Sequence, residues 1–94
     1  MPRVDRIERR IKEFEGFEIR FLHPDGQDVR GDLNLHGVRA YDYQRRAPYN
    51  MTVSEWIKTR FLPRYPGYTA SVMLGNGAAA HGRTTLQTVR NSYP

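Results

Sequence analysis

Arginine carries most of the chemical potential of this chain, and it recurs beside tyrosine. The stretch RAYDYQRRAPY interleaves Arg39, Tyr41, Tyr43, Arg45, Arg46 and Tyr49. A second stretch, KTRFLPRYPGY, carries Lys58, Arg60, Arg64, Tyr65 and Tyr68. A guanidinium pairs with phosphate and reads guanine edges, and a phenol ring stacks on an unpaired base. Brought onto one surface with Arg83 and Arg90, these groups would form a docking face for a polyanion. Tyr and Arg are also the types most enriched at protein hot spots, so an acidic protein partner fits the same residues. The competing structural use is that Tyr41 and Tyr43 pack on a sheet while their hydroxyls reach water.

A glycine-rich stretch invites a second chemistry. GAAAHGRTT, residues 77–85, reads G-x-x-x-x-G-R-T through Gly77, Gly82, Arg83 and Thr84. That is one residue away from the phosphate-binding loop G-x-x-x-x-G-K-[ST]. Unpaired amides at a helix start attract anions, and the helix dipole adds to the attraction. Arginine, however, does not replace the point charge of the lysine that reaches the terminal phosphates. A nucleotide hydrolase also needs a long following helix and a later magnesium-binding acid, and few residues follow the loop here. A plain turn is therefore expected. Its functional use would be a helix-start contact from Arg83 to a nucleic-acid phosphate.

Other reactive constellations are absent. There is no cysteine, which removes disulfides, thiolate metal sites and a thiol nucleophile. His23, His36 and His81 lack the close spacing of a zinc site and fall in predicted turns or loops. Ser54, Ser71 and Ser92 lie in no activating context, and Asp25, Asp28 and Asp32 read as turn and strand-edge acids. No catalytic residue, cofactor or metal is expected.

The composition fits one domain over residues 1–94, with 38% hydrophobic and 27% charged residues and a net charge of +5. The charge is uneven. Residues 1–32 hold seven basic and eight acidic side chains, whereas residues 33–94 hold eight basic and two acidic ones, Asp42 and Glu55. All six tyrosines lie in that second part. No apolar run has signal-peptide or membrane-span length, so a soluble, cytoplasmic protein with no membrane partner is expected.

These groups need elements to hold them. Val4, Ile7, Ile11 and Phe14 recur on one face of a helix over residues 3–15, which Gly16 should stop. That one-sided helix would serve a homodimer as readily as its own core. Residues 17–22 alternate as a strand, HPDG turns, and QDVRGDLNL returns as its hairpin partner. Residues 36–43 form a possible third strand. Thr52 and Glu55 make a capping box for a helix over residues 52–62, with Val53, Trp56, Ile57 and Phe61 as its buried stripe. Residues 68–74 alternate as a strand, and Thr84 with Gln87 should cap a short last helix. The expected fold is α+β: an antiparallel sheet of three or four strands, packed by two amphipathic helices plus a short C-terminal helix. The expected function is a non-enzymatic module that contacts DNA or RNA through Arg39, Tyr41, Tyr43, Arg45, Arg46, Arg60, Arg64, Tyr65, Arg83 and Arg90. The alternative is an adaptor or inhibitor, of the kind phages and mobile elements encode, using the same surface on an acidic or nucleic-acid-binding protein.

Overall fold

The first helix forms where its period predicts. In the computed structural model, which describes residues 2–94, α1 spans Val4–Glu15. Its inner face is Val4, Ile7, Ile11 and Glu15, all buried. Gly16 ends it in the left-handed region at φ 85°, with its N–H on Lys12 O at 3.0 Å. No side chain caps the start. Backbone carbonyls do so instead: Leu33 O accepts from Val4 N at 3.0 Å and Gly31 O from Asp5 N at 2.9 Å. Residues 31–35 are thereby tied across the start of α1.

The sheet has two strands, not three or four. β1 (Glu18–Leu22) pairs antiparallel with β2 (Thr69–Met73), with Ile19 opposite Val72 and Phe21 opposite Ala70. The expected hairpin partner of β1 contributes a turn, His23 N to Gln27 O at 2.8 Å, and a single bridge between Leu22 and Asp28. One reason is that the free edge of β1 is already occupied. The Glu8 carboxylate accepts the Phe21 amide at 2.9 Å, and Val29 N takes the Phe21 carbonyl at 3.0 Å. At the other end the Tyr93 hydroxyl accepts from Glu18 N and donates to Met73 O, extending the ladder through a side chain. The expected third strand, residues 36–43, is irregular instead, and residues 39–47 form a strap with no helix or strand.

The second helix starts on its capping box: Thr52 Oγ1 accepts from Glu55 N, and the Glu55 carboxylate from Thr52 N. α2 covers only Val53–Trp56 and then widens into a π-helical segment, Ile57–Phe61. The Thr59 hydroxyl donates to Glu55 O at 2.7 Å, an intrusion on the backbone ladder that goes with local widening. The five-residue turn keeps Trp56 and Phe61 both fully buried. α3 is Leu86–Asn91, capped by Thr85 on Thr88 rather than by Thr84 on Gln87. The three helices and the sheet make an α+β fold whose core is aromatic: Phe21 lies 4.8 Å from Phe61 and 5.2 Å from Tyr65, and Phe17 lies 5.2 Å from Trp56. Among the described residues no helix is long and apolar enough to cross a membrane.

Tyr65 exposes a flaw in this core. Its ring is fully buried, its hydroxyl has no partner, and burial pushes its pKa up to about 12. An orphaned buried hydroxyl costs about 1–3 kcal/mol. Tyr65→Phe should therefore leave stability unchanged or raise it by about 1 kcal/mol in urea unfolding. A loss of more than about 1 kcal/mol would mean that the hydroxyl has a partner.

Candidate functional site

The glycine-rich loop is a turn. Gly77, at φ 87°, donates its N–H to Leu74 O, and Ala80 N reaches back to Val72 O. The loop then offers carbonyls where a phosphate loop offers amides. Gly82 O and Thr84 O accept from Ser54 N at 2.9 Å and Val53 N at 2.8 Å, the free donors at the start of α2. Met51 O and Tyr49 O do the same for Leu86 N and Gln87 N of α3. Each segment caps the helix that follows the other. Arg83 is exposed in a turn ahead of the cap residue Thr85, with its own N–H on His81 Nδ1. The helix start it was expected to serve is filled by protein carbonyls.

A buried carboxylate gathers the arginines. Glu15 completes the inner face of α1 and is fully buried. Its Oε2 accepts from Arg60 Nη1 at 2.9 Å, from the Tyr41 hydroxyl and from Trp56 Nε1 at 3.4 Å. Its Oε1 accepts from Arg90 Nη2 at 3.0 Å and Ala47 N at 2.9 Å. Arg90 Nε also holds the Glu15 carbonyl at 2.6 Å, and Arg46 Nε holds Phe14 O at 2.7 Å. Both cations thus meet the free carbonyls at the negative end of α1. An isolated buried carboxylate would be very costly; the two guanidiniums and three neutral donors make this one tenable. Burial and the Glu15 carboxylate both push the Tyr41 phenol well above its ordinary pKa, so it stays a donor. Burial lowers the pKa of Arg90, and Glu15 partly restores it.

A second cluster sits on the strap. Tyr43 is half-buried, with the Arg60 guanidinium 4.4 Å and the Arg64 guanidinium 4.3 Å from its ring centre. Arg64 also donates to Ala40 O and pairs with Asp42, which Arg39 meets at 3.3 Å. Burial pushes the Asp42 carboxyl up, but Arg64 and Arg39 outweigh that and hold it below its ordinary value. Arg60 further donates to Arg45 O at 2.6 Å.

The ten sequence candidates therefore separate. Tyr41 and Tyr65 are core residues and cannot stack on a ligand. Arg60, Arg64 and Arg90 keep only 13–16% of their side chains exposed and hold the fold together. Tyr43 is clamped between two of them. Arg39, Arg45 and Arg46 are exposed on the strap, and Arg83 is exposed in its turn. Arg10, in an Arg6, Arg9 and Arg10 cluster that the sequence reads as a solvated helix face, was not among the ten. It is exposed on α1, donates Nε to Tyr41 O at 3.4 Å, and places its guanidinium 5.4 Å from the Phe14 ring centre. Sequence reading missed Glu15, although its position continues the 4, 7, 11 spacing of the buried stripe.

Charge is distributed unevenly around this strap. Arg39, Asp42, Arg45 and Arg46 belong to it; Arg10, Arg60, Arg64 and Glu15 bond to it; Arg90 joins through Glu15. Seven arginines face two acids there, a net +5 equal to that of the whole chain. The remaining eight basic and eight acidic residues cancel. Among the described residues no carboxylate lies within ion-pair distance of Arg10, Arg45 or Arg46. Among the same residues no group of three or more His, Asp or Glu stands close enough together to hold a metal ion. No protein-family model, curated protein or solved structure matches the chain.

Proposed function

We propose that this chain is a small non-enzymatic module that binds nucleic acid along the strap of residues 39–47. The observation that carries the reading is the seven-to-two excess of arginine over acid there, against an electrically balanced remainder. The partly buried guanidiniums of Arg60, Arg64 and Arg90 are offset by Glu15 and Asp42 and leave one net positive charge fixed beneath the strap. The exposed guanidiniums of Arg10, Arg39, Arg45 and Arg46 are the groups that reach phosphates. Fewer residues touch the ligand than the sequence implied, and none of them is a tyrosine in the core.

The test is affinity for labelled DNA and RNA across a salt series. Wild-type binding should weaken steeply as salt rises, since each phosphate contact releases counterions. Arg45→Ala with Arg46→Ala should lower affinity at least about tenfold and flatten the salt slope by about 1–2, with little change in Tm. Binding that ignores salt, or a double variant that binds like the wild type, would sink the reading. So would an absence of nucleic-acid affinity in a nuclease-treated preparation that holds one acidic protein through the same two arginines.

A further inference from the structure

A shallow apolar slot, open to solvent, lies at the junction of α1 and the strap. It has a volume of about 160 Å³ and is lined by Pro2, Arg6, Ile7, Arg10, Ala40 and Tyr41. Its walls are carbon, which means that Arg6 and Arg10 present their methylene stems to it and leave their charged heads at the rim. Those two residues are one helical turn apart on α1, exposed, and without an acid within ion-pair distance among the described residues. Arg10 and Ala40 also belong to the positive strap, since Arg10 donates to Tyr41 O and Ala40 O accepts from Arg64.

The occupant can be read from these properties. An open apolar surface edged by guanidiniums can take the flat face of one ring. A rim of two guanidiniums without a carboxylate partner selects a ring that carries negative charge beside it, and guanidinium planes also stack on bases. A base stacked within a duplex has no free face to lay on this surface, whereas an unpaired base does. We infer that the slot receives one unpaired base of a single strand, with Arg6 and Arg10 on its flanking phosphates. This rests on the nucleic-acid reading of the strap and narrows it from any polyanion to single-stranded DNA or RNA.

The experiment compares a labelled single strand with a duplex of the same sequence by fluorescence anisotropy, on wild type and on Ala40→Phe. Ala40 is exposed and lies outside the helices and strands, so a phenyl group there fills the slot without entering the core. Wild type should prefer the single strand by about tenfold, the scale of one stacked base. Ala40→Phe should abolish that preference by bringing single-strand affinity down to the duplex level. Arg6→Ala, on an exposed helical position, should lower single-strand affinity several-fold more than duplex affinity, and it decides the matter if Ala40→Phe does not fold. Equal wild-type affinity for the two forms overturns the slot while leaving the strap reading intact. So does a single-strand preference that survives Ala40→Phe, or an Arg6→Ala variant that binds both forms like the wild type. Wild-type protein that binds neither form in a salt-dependent way overturns both readings.

Discussion

Glu15→Ala should destabilise the domain by about 3–5 kcal/mol, the cost of removing one partner from a buried ion pair. Five donors converge on this one carboxylate, and they come from four separate parts of the chain. Tyr41 and Ala47 belong to the strap, Trp56 to α2, Arg60 to the π-helical segment and Arg90 to α3. Truncation leaves two largely buried guanidiniums facing one another with no counter-charge and strips the Ala47 amide of its acceptor. Small domains have about 5–15 kcal/mol of stability in total, so much of the fold is at stake. For a domain of this size the loss corresponds to a fall in Tm of at least about 12 °C. The control is Glu13→Ala, exposed on the same helix, which should stay within about 0.5 kcal/mol of wild type. Glu15→Met combined with Arg60→Met and Arg90→Met should recover much of the loss, because a packed apolar cluster can replace a buried ion triad. If Glu15→Ala melts within about 1 kcal/mol of wild type, the carboxylate is not what joins these segments.

This centre also shows what local sequence pattern conveys and what it does not. The helix of residues 4–15, its stop at Gly16 and the Thr52–Glu55 box were legible because each depends on neighbours within one or two turns. So were the inward faces Ile19/Phe21 and Ala70/Val72. The partner of β1 was not. The HPDG turn pointed to its immediate neighbour, but the strand that pairs with it lies past α2, and alternation carries no information about which strand pairs with which. The fate of the tyrosines was illegible for a related reason. Tyr41 and Tyr65 are amphipathic, and only the tertiary fold puts a carboxylate beside the one and a closed aromatic core around the other. The arginines were expected to face a ligand, and three of them, Arg60, Arg64 and Arg90, instead bond within the fold. Basic composition in residues 33–94 suggested a solvent-facing surface, yet a single acid from the balanced first third takes up two of those side chains. A charged residue continuing an apolar helical stripe is a signal that could have found Glu15 in advance, since it must be buried with a partner or break the pattern.

Trp56→Ala is the other substitution expected to cost about 3–5 kcal/mol, the usual loss for truncating a large buried aromatic side chain. The ring is fully buried and meets Phe17 at 5.2 Å, Phe61 at 5.9 Å and Tyr41 at 6.3 Å, so its removal opens space between α2, the strap and the segment leading into β1. It also has a polar role: Nε1 donates to the Tyr41 hydroxyl at 3.1 Å and more distantly to Glu15. Trp56→Phe separates the two. It keeps most of the ring and removes the donor, for an expected loss of about 1–2 kcal/mol. Urea unfolding followed by circular dichroism measures both variants, because the single tryptophan is itself removed. If Trp56→Phe were as damaging as Trp56→Ala, the hydrogen bond would contribute more to stability here than the packing. The Glu15 centre would then depend on its neutral donors as much as on its arginines. If both variants were mild, the aromatic cluster would have enough slack to close around the gap, and the rigid placement of the strap would need another cause. The expected order, large for alanine and modest for phenylalanine, makes the aromatic core the platform and the carboxylate the fastening. On that footing the backbone of residues 39–47, which carries the exposed arginines of the proposed nucleic-acid surface, is fixed by the fold itself.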